Sequence, residues 1–213
     1  YTYDANGNRK TTIYPGGKVI ANTFDLNNRV QTVTDWDGRV TTYSYDDAGR
    51  QTSITYPNDV EATYVYDDAD RLLSLTHEHP LNGVIAGFSY TLDDVGNRLT
   101  MTDWEGVSSY DYDDLYRLTE VTYPDGEIVI YTYDPMGNRE TMASTVHGST
   151  AYTYDAADRL QTAGATTFTW DDNGNMTGKG AATYSWDALD RLTHVVDEAT
   201  TVSFAYDGDG TRL

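Results

Sequence analysis

Over most of the chain, apolar and aromatic residues alternate with Thr, Ser and other polar residues in short runs, and clusters of Asp, Asn, Gly and Pro break the runs. Alternation of period two, bounded by turn residues, predicts half-buried β-strands joined by tight turns. The stretch "RLTEVTYPDGEIVIYTYD" shows the unit, with strands at about 117–123 and 127–133 on either side of Pro-Asp-Gly. In the second strand of each unit, aromatics at i and i+2 share one face. Between them stand Thr2, Ser44, Val65, Thr91, Asp111, Thr132, Thr153, Thr169, Ser185 and Ala205. One face is therefore an aromatic ladder and the other largely a Thr/Ser surface. No apolar period of 3.6 residues is present, which argues against a helical solenoid.

The pattern recurs. A motif Asp falls at Asp4, Asp25, Asp46, Asp67, Asp93, Asp113, Asp134, Asp155, Asp171, Asp187 and Asp207, in steps of 21, 21, 21, 26, 20, 21, 21, 16, 16 and 20 residues. The preceding residue is aromatic in every copy except Leu92: Tyr3, Phe24, Tyr45, Tyr66, Tyr112, Tyr133, Tyr154, Trp170, Trp186 and Tyr206. A second aromatic lies two residues further back, with Asn22 the exception. Four or five residues after the Asp comes Arg9, Arg29, Arg50, Arg71, Arg98, Arg117, Arg139, Arg159, Arg191 or Arg212; Met176 breaks the rule, and Arg39 alone lies outside the slot. Arg is thus reserved for a repeated structural place. The Asp is expected to cap the N–H groups of its own turn and to meet an Arg of its own or a neighbouring unit. Second turns lie between motifs ("PGG" at 15, "DG" at 37, "PDG" at 124), the one at "DEAT" from 197 being the least marked. The array fills residues 1–213 as one domain, with no linker.

These features predict an all-β protein of tandem antiparallel hairpins forming one curled sheet, an open arc or spiral wall around a space. About 20 strands spaced about 4.8 Å apart make a ribbon about 95 Å wide, and open sheets beyond about 10 strands curl, split or flatten. A sandwich needs an apolar inner face on both sheets, which the Thr/Ser face does not readily supply. Repeat arrays need capping units, and bare edge strands invite pairing with another chain, so an edge-to-edge oligomer is expected to be open to this chain.

Composition narrows the function. The chain has no Cys, 19 Tyr, 38% hydrophobic residues and a formal net charge of −20. Such a surface repels nucleic acid and anionic lipid, which are held through Lys and Arg. It admits basic proteins, cations and neutral sugars. No apolar run approaches the roughly 20 residues of a membrane helix. The chain starts inside a motif copy at Tyr1, so it reads as a piece of a larger protein and its lack of a targeting signal carries no weight.

Candidate chemistry is sparse. The doubled carboxylates Asp46-Asp47, Asp67-Asp68, Asp93-Asp94, Asp113-Asp114 and Asp171-Asp172 have the residue type of glycosidase acids, but a pair copied five times along an array reads as a turn feature. "DANGN" at 4, "DDNGN" at 171 and "DGDGT" at 207 have the look of calcium loops without the Glu at position twelve, and read as Asx turns. "HEH" at 77–79 lacks a third zinc ligand and reads as an exposed loop insertion in the longest step. No catalytic residue, cofactor or metal is assigned. Trp36 and Trp104, just before the second turn, are the candidate ligand platform, since neutral sugars stack on such rings.

The phrase Y-x-Y-D-x-x-G-N-R at a period of about 20 residues resembles the YD repeats of Rhs proteins, the C component of bacterial Tc toxins, and teneurins. The resemblance implies a β-hairpin sheet spiralling into a hollow shell, which in Rhs and Tc proteins encloses a toxin and in teneurins is an extracellular scaffold. It implies a non-enzymatic protein, secreted or at the cell surface, whose partners are a cargo polypeptide or neighbouring shell segments. The alternative function is an adhesion or carbohydrate-binding module.

Overall fold

The computed structural model describes residues 1–198 and 200–213. The chain is all-β, as expected. The first eleven strands are β1 (Thr2–Tyr3), β2 (Arg9–Ile13), β3 (Val19–Phe24), β4 (Val30–Thr34), β5 (Val40–Tyr45), β6 (Gln51–Thr55), β7 (Glu61–Tyr66), β8 (Leu72–His79), β9 (Gly83–Leu92), β10 (Arg98–Thr102) and β11 (Val107–Tyr112). They are followed by β12 (Leu118–Thr122), β13 (Ile128–Tyr133), β14 (Arg139–Ser144), β15 (Gly148–Tyr154), β16 (Leu160–Ala163), β17 (Thr166–Trp170), β18 (Met176–Lys179), β19 (Ala182–Trp186), β20 (Leu192–Asp197) and β21 (Thr200–Ser203). Two compact units are present, Tyr1–Asp111 with Thr122–Gly126, and Tyr112–Val121 with Glu127–Leu213. In the first, each strand from β1 to β11 pairs antiparallel with the next. In the second, the same holds from β13 to β21. Both are meanders, so every strand pairing among the described residues joins neighbours in sequence.

All eleven motif turns share one backbone. The Asp N–H donates to the carbonyl four residues on, and the N–H of the third residue returns to the Asp carbonyl. That third residue has positive φ in every copy. It is Gly in six, and Asn28, Asp70, Tyr116, Asp158 and Asp190 in the others. Gly, Asn and Asp tolerate the left-handed region; a ring-bearing residue does so at a cost. Tyr116, at φ 62 and with 62% of its surface exposed, carries that cost with little packing in return. Tyr116→Asn, copying Asn28, is expected to raise stability by roughly 1 kcal/mol, measured by chemical denaturation. An unchanged or lowered midpoint would mean that the ring is held by contacts that offset the strain.

A bulge adjoins the turn, with the extra residue on the strand that follows it. The motif aromatic pairs with the residue five after the Asp, whereas the residue before it already pairs two positions further on, as in Tyr45↔Gln51 and Ser44↔Ser53. The same shift occurs at Tyr3, Phe24, Tyr66, Leu92, Tyr133, Tyr154, Trp170 and Trp186. The two motif aromatics, two residues apart on the incoming strand, share one face by alternation. On the other face, threonines meet in register: the Thr23–Thr32, Thr91–Thr100, Thr132–Thr141 and Thr153–Thr162 hydroxyls are each 2.7 Å apart.

Burial is thin. Among the described residues the buried hydrophobics are Ala62, Val121 and Val129, and no large side chain is fully buried. Cohesion therefore rests on half-buried rings and on polar contacts at the turns. The "HEH" segment departs from expectation. It is no loop but the end of β8, because the extra residues of the 26-residue step lengthen β8 and β9 into a longer hairpin. The turn at "DEAT" includes Ala199, which lies outside the described residues.

Candidate functional site

The site is the row of motif turns. Each motif Asp accepts at Oδ1 from backbone N–H groups two and four residues ahead: Asp113 from Leu115 and Arg117 at 2.9 Å each, Asp134 from Met136 at 3.0 Å and Asn138 at 2.8 Å. The other oxygen distinguishes two kinds of turn. Where Arg stands four residues on, its Nε donates to Oδ2 at 2.7 Å, as in Asp25–Arg29, Asp46–Arg50, Asp67–Arg71, Asp113–Arg117, Asp155–Arg159 and Asp187–Arg191. The Asp side chains of these pairs keep 16% to 25% of their surface, so the pairs are shielded but not desolvated. Where Asn stands there, its amide takes the same oxygen: Asn8 to Asp4 at 3.0 Å, Asn97 to Asp93 at 2.8 Å, Asn138 to Asp134 and Asn175 to Asp171 at 3.1 Å. Asp207 keeps the cap through Asp209 and Thr211.

In the ten turns from Asp4 to Asp187 these bonds hold the carboxyl below its ordinary 3.8. At Asp46 and Asp113 the Arg side-chain bond is the chief cause; at Asp25, Asp67 and Asp155 it is the Arg backbone N–H, and at Asp4 the Asn8 amide. At Asp93, Asp134, Asp171 and Asp187 partial burial, pushing upward, is the largest single influence, and the several hydrogen bonds together outweigh it.

The single Arg place expected from the sequence is in fact two. An Arg four residues on reaches into the next repeat. Nη1 of Arg29, Arg50, Arg71 and Arg159 donates to the carbonyl of Asp46, Asp67, Asp93 and Asp171 at 3.1, 2.8, 2.8 and 3.0 Å. Arg29, Arg50, Arg117 and Arg191 also lie over Tyr45, Tyr66, Tyr133 and Tyr206, 4.5 to 5.1 Å from the ring centres. An Arg five residues on belongs to the strand and covers the other aromatic column: Arg9 over Tyr1, Arg98 over Tyr90 and Tyr110, Arg139 over Tyr131 and Tyr152, Arg212 over Phe204. Met176 occupies this second place, with Asn175 in the first.

The motif rings tie back in turn. The hydroxyls of Tyr45, Tyr66, Tyr133, Tyr154 and Tyr206 donate to the carbonyls of Val30, Gln51, Leu118, Arg139 and Leu192. In the 16-residue units Trp replaces Tyr, and the indole N–H of Trp170 and Trp186 makes the same bond to Leu160 and Met176 at 2.8 Å. Within each unit, then, consecutive repeats are locked by a guanidinium going forward and a ring going back.

Residues 89–213 match the teneurin YD-shell family, and residues 24–61 match the RHS repeat. The chain belongs to the teneurin YD-shell family. No curated protein matches its sequence. Among solved structures, a Photorhabdus luminescens Tc holotoxin pore with a substituted TccC3 component superposes with a TM-score of 0.81 at 20% identity, over 99% of this chain and 13% of that one. A TcdB2–TccC3–TEV structure gives a TM-score of 0.81 at 19% identity over 99% of this chain and 13% of that chain. TcdB2–TccC3 gives 0.67 at 19% identity over 92% and 14%. The likeness at that identity is one of fold, and this chain spans 13–14% of the length of those chains.

The YD-shell clasps explain the sequence exceptions. Phe24 has no hydroxyl to donate backwards, and Asn22, the missing aromatic of the same repeat, supplies the donor: its amide reaches the Arg9 carbonyl at 2.9 Å. Arg39, set aside by the sequence pattern, makes an equivalent clasp in a second turn, with Nε 2.6 Å from Asp35. The signal was present, since Asp35 and Arg39 have the spacing of Asp46 and Arg50. Of the doubled carboxylates, the first Asp is the cap and the second is exposed. In the calcium-like stretches at 4 and 171, both oxygens of Asp4 and Asp171 already accept from the turn. Trp36 stands edge-on to Tyr14, 6.5 Å between centroids, with Lys18 4.6 Å above its ring. Trp104 is 83% exposed, and no ring contact joins it to Trp36.

Proposed function

We propose that residues 1–213 are one continuous YD-repeat array, a wall segment of a non-enzymatic shell that encloses or scaffolds a polypeptide in a larger secreted or cell-surface protein. The observation that carries this reading is the uniform clasp. The carboxylates of most motif turns are engaged by their own turn, which leaves them to hold the wall rather than to do acid–base chemistry. The meander gives a hydrogen-bonded surface with few loops for a protease to enter, and a charge of −20 favours a positively charged occupant. The Tc proteins of matching fold supply the precedent for a wall that is a small part of a long chain.

Small-angle scattering with light scattering tests the reading. A wall segment gives a hollow or extended profile, broader than the radius of gyration of about 17 Å for a compact chain of this length. A compact profile at that radius would overturn enclosure and leave a self-contained domain.

A further inference from the structure

The β8–β9 hairpin is the longest in the chain, and its end is apolar and bare: Leu81, Val84 and Ile85 are 87%, 62% and 57% exposed. Beside it the register places Thr55 opposite Glu61, Glu61 opposite Glu78, and Glu78 opposite Val84, one residue from each of four successive strands. Alternation puts this row on the face that also carries Thr63 and Thr76, not on the aromatic face. Two like charges directly across a strand pair are destabilising. Neither Glu61 nor Glu78 makes an ion pair or side-chain hydrogen bond among the described residues. Most motif Asp carboxylates, by contrast, are clasped by an Arg or an Asn. A third carboxylate, Asp59, joins them around a recess of about 490 Å³ that Thr55, Thr63 and Pro80 complete.

We propose that this hairpin end and the Glu61–Glu78 row dock a polypeptide segment that presents lysine or arginine next to aliphatic side chains. The cations would relieve the repulsion between the facing glutamates, and the aliphatic groups would cover Leu81, Val84 and Ile85. An anionic partner, nucleic acid or acidic lipid, meets the same unneutralised charge and is repelled. A neutral sugar leaves both the repulsion and the apolar tip as they were. The docking surface lies within one unit of the fold and does not depend on whether the array encloses a cargo.

The test uses a fluorescein-labelled, end-blocked peptide of alternating Leu and Lys, followed by anisotropy at low and high salt. Binding should weaken with salt. Glu61→Gln with Glu78→Gln should lower affinity by about tenfold or more, because two facing charges are lost at once. The double variant should melt no lower than the parent, since the change removes a repulsion. Leu81→Ser with Val84→Ser should also weaken binding, through the exposed tip, without unfolding the array. A control, Asp114→Asn with Asp172→Asn, removes the same charge from exposed positions far along the sequence. An equal loss of affinity in that control would show mere attraction to an acidic surface and overturn the site. Equal binding of a Leu/Glu peptide would overturn it too. So would a dimer in light scattering that dissociates in Leu81→Ser with Val84→Ser, since the occupant would then be a second copy of the chain.

Discussion

Acidification from pH 7 to pH 3 will unfold the array cooperatively, with the loss concentrated below about pH 4. The sign follows from the clasps. In the folded chain the carboxyls of Asp4, Asp25, Asp46, Asp67, Asp93, Asp113, Asp134, Asp155, Asp171 and Asp187 lie below their ordinary 3.8, as does that of Asp35. The unfolded chain then binds more protons, so stability rises with pH. The contribution is fully present above the unfolded value and is lost as pH falls through the lowered folded values. Each group is partly solvated and contributes little alone. The effect is large because the same change occurs in turn after turn, and neighbouring repeats share their clasps. One effect opposes it: protonation relaxes the self-repulsion of a chain with net charge −20. That repulsion is diffuse and screened by salt, whereas each clasp is a contact of 2.6–3.1 Å, so the clasps win. Circular dichroism melts at half-unit pH steps read the outcome. A melting temperature that is flat or rises towards pH 3 would show that self-repulsion, not the clasp, governs stability.

Tyr133→Ala will cost about 2–4 kcal/mol, below the full cost of a buried aromatic because the ring is only half-buried. Tyr133 does three jobs. Its hydroxyl donates to the Leu118 carbonyl at 2.6 Å, its ring lies 4.7 Å beneath the Arg117 guanidinium, and its backbone enters the Asp134 turn. Burial raises its phenol above the ordinary 10.0, in keeping with a ring tucked between strands. Tyr133→Phe isolates the hydroxyl and should cost about 1 kcal/mol, the net worth of one hydrogen bond. In a repeat array the damage should stay local, so hydrogen exchange around residues 113–118 should quicken before distant turns respond. If Tyr133→Ala denatures within a few tenths of a kcal/mol of the parent, the backward ring-to-carbonyl bond is incidental and cohesion lies in the strand ladders alone.

The two predictions test different levels of the same design. Acid probes the capping within each turn, which is local in sequence. Tyr133 probes the bond between turns, which spans 15 residues. The division matches what could be read beforehand. The Asp caps, the hairpins and the two-faced strands were legible because their causes lie within a few residues. An Asx turn needs only the Asp and the N–H groups that follow it, and a strand's two faces follow from alternation. The longer reach of each residue was not legible. Arg117 and Arg139 look alike in sequence, one position apart relative to their Asp, yet one grips its own cap and the other lies on a tyrosine column. Asn22 and Phe24 read as two defects, and together they are one compensated bond.

The chain alone therefore determined the repeat, its all-β character, its turns and the acidic surface, because each arises from neighbours in sequence or from simple composition. Only the tertiary structure decided which Arg meets which ring, that "HEH" ends a strand of a lengthened hairpin, and that Glu61 and Glu78 face each other unneutralised. Those relations depend on register, and one residue of shift at a bulge moves a side chain to another partner.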